Sequence, residues 1–439
     1  VNICTIQVDS LLQDHRIILS SSLKNELIEQ NCTVKFGQKQ VKAFVLFKHK
    51  HSAEIIISKK LADDLRLPEN QTKLQLYVNK QEAALILGPI LMIWTDVPLK
   101  DLSSPFFNFC KEVVLEGQIK GIFPFIKVKD QSKGFFWSKG CWQETAILPE
   151  PDVIYNRIHS RKFEKTSTFS SIKSQWKNAI IFNDHFLDKW ITYELLFTDA
   201  EIRKFLPQTY LLNLDNLVSI LSDYEKAYLK PIHGSQGKGI YLIDRNDLIN
   251  NFWVYSSDST VMEPILLKNL DQLSRFIERI QKRKFFIVQQ AIPLSTLDGQ
   301  LVDFRFLLHY YDESWHITSS VARVGETDRI ISNQAQGGQL FKPLQVLKQW
   351  FPSEAKRKLE EMKALSIKAA DTVLTLSDGL YCELGMDLAV DNDGTIWILE
   401  VNSKPSKSFP LREELQIRPS ARAICKTCLS LFQKQIEAK

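Results

Sequence analysis

The sequence has no long hydrophobic run: its longest apolar stretch, AALILGPILMIW at 83–94, is too short to span a bilayer and is broken by Gly88-Pro89. Nor is charge of one sign gathered into blocks. The 56 Lys and Arg are interspersed with 51 Asp and Glu and leave a net charge of +5, so the basic footprint of a nucleic-acid binder is missing. The opening residues, VNICTIQVDSLLQDHR, lack the basic-then-apolar order of a signal peptide. Eight histidines show no HxxxH or HExxH pairing, and no Ser–His or Cys–His pair suggests a nucleophile. Seven cysteines, an odd number, yield a single CxxC, Cys425 and Cys428, inside a C-terminal helical pattern with no second pair or histidine nearby. That placement points to reduced helix residues rather than zinc or redox chemistry. What remains is an ordinary globular composition, 44% hydrophobic and 24% charged over 439 residues, with room for two or three domains and an expected cytoplasmic or peripherally associated location.

Along the chain, short runs in the first 80 or so residues (CTVKF, VKAFVLF, AEIIIS, KLQLYVN) alternate apolar and polar side chains, as strands of a small β-rich module do; one helix, KKLADDLRL, ends at Pro68. From Leu85 the character changes. LILGPILMIW reads as one buried strand, PFFNFCKEVVLEGQIKG as an amphipathic helix, then FPFIKV and DVIYNRI as strands of an open α/β unit. The aromatics of FFNF and GFFW fit a core. From about Asp184 mixed strands and helices continue, with glycine-rich loops at 234–239 and 337–338 and a long helix from Ser353, a candidate N-cap, to Ser377.

The stretch YCELGMDLAVDNDGTIWILEVNSKP at 381–405 carries the chemistry. Asp393-Gly394 suits a two-residue hairpin turn, and counting outward pairs Asn392 with Thr395, Val390 with Trp397, Leu388 with Leu399 and, on the other face, Asp387 with Glu400. Met386, Leu388, Val390, Trp397, Leu399 and Val401 are then expected in the core. Two carboxylates opposite each other repel unless neutralised, and a divalent cation bound by oxygens, with Asn402 as a third ligand, is the expected answer. Upstream, KAYLKPIHGSQGKGIYLI at 226–243 reads as strand, Lys230, a loop with three glycines, and strand. Glycines let backbone N–H groups approach phosphates, and Lys230 adds a fixed charge beside them. This is not a Walker A loop, because Lys238 is followed by Gly239 and a β-like YLI rather than by Ser/Thr and a helix.

In order, Lys189 of HFLDKW, KPxxGSxGxGI at 230–240, IVQQAI at 287–292, DFR at 303–305, and MD followed by LEVN thirteen residues later resemble the motifs of ATP-grasp ligases over about residues 87–439. The whole chain, including FGQKQ, SKKLADDLRLP, LGPILMIW and YNRIHSR, is most similar to the YheC/YheD endospore coat-associated family. The resemblance implies an α+β architecture. An ATP-grasp domain of two α+β lobes holding ATP (186–439) would follow an α/β pre-ATP-grasp domain (85–185) and an N-terminal β-rich domain (1–84). It further implies that Lys189 and Lys230 hold the α and β phosphates under the hairpin of Gly234, Ser235, Gly237 and Gly239. Gln289 takes the place of an adenine-contacting glutamate, with Gln290 to Ile292 offering hinge backbone groups. Asp303 resembles a ribose-contacting acid. Arg305, Arg323 and Asn333, with Gly337-Gly338, resemble the arginine and N–GG loop that grips the γ-phosphate and the developing acyl phosphate. Asp387, Glu400 and Asn402 match the magnesium ligands, manganese being the alternative ion. Lys404 of NSKP is expected to face solvent.

The reaction so implied is an ATP-dependent carboxylate–amine ligation through an acyl phosphate, on small-molecule or peptide substrates and in a sporulation setting that includes spore-coat proteins as partners. Two other uses of the fold stay open at this point: a nucleotide-binding spore-coat component without turnover, and a small-molecule kinase.

Overall fold

The computed structural model describes residues 2–23, 30–48, 53–67, 72–98, 105–234, 237–246, 251–258, 263–282, 284–325, 339–407 and 417–438. Ser235, Asn333, Gly337 and Gly338 lie outside the described residues. Seven strands come first: β1 (Asn2–Asp9), β2 (Arg16–Ser20), β3 (Asn31–Phe36), β4 (Lys39–Lys48), β5 (Glu54–Ser58), β6 (Thr72–Asn79) and β7 (Ala84–Gly88). They close into a barrel in the order β1-β5-β2-β4-β3-β7-β6. Alternation drives the closure: Cys32, Val34 and Phe36 of β3 point inward between more exposed neighbours, and Ile17, Ile57, Leu74 and Leu85 fill the interior with them. Helix α1 (Lys59–Leu65) starts where Ser58 accepts from the Leu61 N–H and stops at Arg66, which sits in the left-handed region at φ 59°.

The expected single strand over 85–94 is two. Pro89, which follows a cis bond and has no N–H to give a ladder, separates β7 from β8 (Ile90–Thr95), and β8 belongs to a second sheet. That sheet adds β9 (Phe123–Val128), β10 (Gly134–Ser138), β11 (Cys141–Thr145), β12 (Val153–Arg157) and β13 (Ile180–Phe182) in the order β11-β10-β9-β8-β12-β13, with β9, β8, β12 and β13 parallel. The unbroken burial of β8, β9 and β12 is what a parallel sheet covered on both faces requires. Helix α2 (Pro105–Lys120) and the C-terminal α10 (Pro419–Glu437) pack on one face, and α3 (Arg161–Glu164) and α4 (Ser167–Gln175) share the core of the barrel side, where Phe169 stacks on Trp94. Cys425 and Cys428 are fully buried in α10, their thiols pushed up by burial, in keeping with reduced, unreactive residues.

Two further sheets face each other across a cleft. One contains β14 (Thr209–Leu211), β15 (Lys226–Pro231), β16 (Tyr241–Asn246), β17 (Asn251–Ser256), β18 (Ile265–Leu267) and β19 (Phe286–Gln290), backed by α6 (Leu214–Tyr224) and α7 (Leu270–Gln281). The other runs β23 (Gln339–Phe341), β22 (Ser314–Val324), β21 (Gln300–Tyr311), β24 (Glu383–Val390), β25 (Ile396–Asn402), with β20 (Thr296–Leu297) paired to β21. Helices α5 (Lys189–Phe197), α8 (Pro343–Trp350) and α9 (Ala355–Leu376) supply its core side. Helix α9 begins two residues after Ser353, and its capping position is Glu354, without a side-chain bond.

The β24–β25 hairpin pairs Asp387 with Glu400 as expected, but by a different route. Asp391 accepts from the N–H groups of Asp393 and Thr395, the turn is one residue longer, and Val390 pairs with Ile396 and Leu388 with Ile398. A bulge between Asp387 and Leu388 then restores the register, so the two one-residue departures cancel at the carboxylates. Near the turn the faces exchange: Ile396 and Ile398 enter the core, whereas Trp397 and Leu399 are only half-buried. Gly394 sits at φ 84°, and a Cβ there would meet the Lys358 Nζ at 2.7 Å. Gly394→Ala is therefore expected to lower the unfolding free energy by about 1–2 kcal/mol, read from urea denaturation. An unchanged midpoint would contradict the longer turn.

Candidate functional site

The site is a row of charges on one face of the β22-β21-β24-β25 sheet. Register sets it: Arg323 lies opposite Asp303, Arg305 opposite Asp387, and Asp387 opposite Glu400. Asp303 and Arg305, two residues apart on β21, share the face. Arg323 donates Nη2 to Asp303 Oδ2 at 2.8 Å and reaches Asp387 Oδ2 at 3.1 Å. Arg305 holds Asp387 from the other side, Nε to Oδ1 and Nη2 to Oδ2 at 2.6 Å. Burial alone would raise the Asp387 carboxyl, but Arg305 and Arg323 hold it below the usual carboxylate range. Burial would likewise lower the Arg323 guanidinium; Asp387 and Asp303 push it up instead. Asn402, paired with Gly385, donates Nδ2 to Asp387 Oδ2 at 3.3 Å.

Lys189 completes the row from α5. Asp188 caps that helix by accepting from Ile191 N–H, which places Lys189 in its first turn. Its Nζ donates to Glu400 Oε1 at 2.7 Å and to the Gly234 carbonyl at 3.1 Å, so it spans from the charged sheet to the glycine-rich hairpin. Across the cleft, Lys230, next to last in β15, donates to Gln289 Oε1 at 2.6 Å, while Gln289 Nε2 donates to Thr209 Oγ1. Its partner is an amide, and among the described residues Lys230 has no ion pair of its own. Burial, with Lys189 nearby, lowers its amine to about 8.

The cleft opens to solvent between the two sheets. Lys189, Lys230, Gly234, Gly237, Gln289, Gln290, Ile292, Asp303, Arg323, Asp387 and Glu400 line it, with Arg305 and Asn402 behind through Asp387. Gly239 is engaged otherwise, its N–H on Asp258 Oδ1. Gln290 is tied to Gln208, its N–H and Oε1 both on that residue's backbone, and the Ala291 N–H goes to Lys226. Sequence reasoning missed Lys238 and the apolar wall of Tyr228, Leu294, Leu301 and Leu399. Leu399 was assigned to the core by the two-residue turn; a three-residue turn after Asp391 would have directed it to the cleft. Lys404 is a correction too. It is buried, its Nζ on the Ile158 carbonyl and Glu164, and burial lowers its amine to about 8.

The donor set suits a hard divalent cation. Asp387, Glu400 and Asn402 offer oxygens from paired strands, and among the described residues Glu400 Oε2 and Asn402 Oδ1 carry no hydrogen bond.

The family described as "YheC/D like ATP-grasp" matches residues 178–431, more than half of the chain. The chain belongs to the YheC/D-like ATP-grasp family. Its fold is accordingly the ATP-grasp ligase fold, and the two facing sheets are its lobes. The endospore coat-associated protein YheD of Bacillus subtilis (strain 168) is 25% identical over 415 residues, covering 90% of this chain and 88% of that protein. YheC of the same organism is 22% identical over 318 residues, covering 68% of this chain and 82% of that protein. Among solved structures, D-cycloserine synthetase DcsG overlays with a TM-score of 0.46 at 13% identity, covering 77% of this chain and 99% of that one.

Asp387→Asn would leave the buried Arg323 and half-buried Arg305 guanidiniums without their shared counter-charge. It is expected to cost about 3–5 kcal/mol of unfolding free energy in urea titration. A loss under about 1 kcal/mol would show that the row does not depend on Asp387.

Proposed function

We propose that this chain binds MgATP in the cleft and acts as an ATP-dependent carboxylate–amine ligase. The observation that carries the reading is the placement of Asp387, Glu400 and Asn402, flanked by Arg305 and Arg323, opposite Lys230 and the glycine-rich hairpin. Adenine fits the apolar half, with the Ile292 N–H, which has no partner among the described residues, as its backbone donor. Lys189 and Lys230 take the α and β phosphates. Asp303, which lines the cleft, orients Arg323 through both oxygens and meets the ribose with the lone pairs that remain. Magnesium, or manganese in its place, held by Asp387, Glu400 and Asn402, would offset charge on the phosphate oxygens.

In the first step a substrate carboxylate oxygen attacks the γ-phosphorus and ADP leaves. Arg305 and Arg323 stand where charge builds up on the transferred group, and positioning supplies most of the catalysis. An amine then attacks the acyl carbon, losing a proton as the amide forms and inorganic phosphate departs. The substrates are small-molecule or peptide carboxylates and amines. The names of the Bacillus relatives favour a sporulation setting with spore-coat partners. Among the described residues no helix is long and apolar enough to cross a membrane.

Calorimetry on the parent is expected to show magnesium-dependent ATP binding that Glu400→Gln abolishes; no binding by the parent would refute the reading. Amine-dependent ADP release separates a ligase from a kinase, and binding without release would leave a nucleotide-binding coat component. The Lys230 amine adds a pH signature. Its folded value, about 8, lies below the ordinary 10.5, so without nucleotide the fold gains stability as pH rises through that window. Binding needs the charged form. MgATP affinity should therefore be level below about pH 8 and fall by up to about tenfold per unit above it, and Lys230→Met should bind weakly with no such fall. A parent whose affinity is flat to pH 10 would contradict the role of Lys230.

A further inference from the structure

We infer that Asn183 is a positioning residue that sets the magnesium-binding strands and the phosphate lysine in one geometry; this deepens the MgATP reading and rests on it. Asn183 follows β13 and is fully buried. Its Oδ1 accepts from the N–H groups of Cys382 at 3.2 Å and Glu383 at 3.0 Å. Its Nδ2 donates to the carbonyls of Glu383, at 2.6 Å, and Ser403. All four of the amide's hydrogen-bonding positions are filled. The β24–β25 ladder ends at the Gly385–Asn402 pair, and one side chain from the α/β sheet ties the strands together just beyond it. Asp387 lies four residues from one anchor, and Asn402 is adjacent to the other.

The same turn positions Lys189. After Asn183 the chain runs to α5, and Ser403 holds it on the way: its Oγ accepts from Leu187 N–H at 3.0 Å and donates to the His185 carbonyl. Lys189 then reaches back to Glu400 Oε1 at 2.7 Å, closing a loop through Asn183, Lys189, Glu400 and Ser403. The residue type is constrained twice. At φ 53° the backbone is left-handed, where Asn is among the best-tolerated non-glycine residues, and only an amide offers both donor and acceptor at this length. Lys230 stands on the other lobe, bonded to Gln289, and the glycine-rich hairpin joins this loop through the Lys189 bond to the Gly234 carbonyl.

The test compares ATP affinity with magnesium and in EDTA, by calorimetry, alongside the thermal midpoint. Asn183→Asp keeps the shape and the acceptor but turns a carboxylate toward two carbonyls. It should weaken binding about tenfold or more in magnesium and by clearly less in EDTA, where only the Lys189 contribution is disturbed. Ser403→Ala, which removes the second strut with less disturbance, should shift the same ratio in the same direction, and it is the deciding variant if Asn183→Asp does not fold. Thr427→Val is the control: it deletes a buried hydrogen bond to the Tyr310 carbonyl and should lower the midpoint without moving the ratio. Variants that leave the ratio at the parental value, or that weaken both conditions equally, would overturn the role of Asn183. A parent without magnesium-dependent binding would instead sink the site reading beneath it.

Discussion

The ion pairs around Asp387 are the constraint on which the site depends. A buried carboxylate held by guanidiniums on both sides recovers in Coulomb attraction and hydrogen bonds what it loses in hydration, and taking either partner away leaves a charge stranded. Such a group earns little net stability. It fixes instead the direction in which two arginines and a carboxylate point. Because side chains alternate across a strand, a one-residue slip of β24 would carry Asp387 to the core face, so register is a condition of function here. The apolar residues of the opposite face, Met386, Leu388 and Val390 among them, enforce that register by burial.

A second buried knot joins the α/β sheet to this lobe. Glu383, at the start of β24, receives Tyr155 and Arg157 from β12, His309 from β21 and Lys407 from the segment after β25. Burial would raise its carboxyl, yet Lys407, His309 and Arg157 hold it low. Burial also lowers the Lys407 amine, to about 8, in spite of Glu383. Arg157 and Glu383 are completely inaccessible, so the carboxyl end of β12 and the hairpin of Asp387 and Glu400 are fixed relative to each other. Asn183 acts at the same joint. Among the described residues, the glycine-rich hairpin is attached to this lobe through Lys189, by its bonds to Ile232 and Gly234.

Much of the site could be read from residue order, because its chemistry lies in strands whose pattern is strong. The hairpin of Asp387 and Glu400 and the strand–glycine loop–strand of Lys230 follow from turn chemistry and alternation. The misreadings share one origin. A turn one residue longer, centred on the Asp391 carboxylate, and a compensating bulge are invisible to a count made outward from Asp393-Gly394, so Leu399 was placed in the core. Lys404 and Asn183 were beyond reach for another reason: their partners, Glu164 and Ile158 for the one and residues 382–403 for the other, are distant in sequence. Local pattern carries no signal of a buried polar contact between separate sheets. The break at Gly88-Pro89 shows the converse, since a continuous apolar run gave no hint that its halves serve different sheets.

The central claim is that one row of side chains, set by register, holds the metal and the phosphates. A crystal structure with magnesium and a non-hydrolysable ATP analogue tests it most directly. The account predicts an ion held by Asp387, Glu400 and Asn402, with Lys230 on the phosphates and Leu399 against the base. Nucleotide bound elsewhere, or an ion ligated without Asp387 and Glu400, would contradict it.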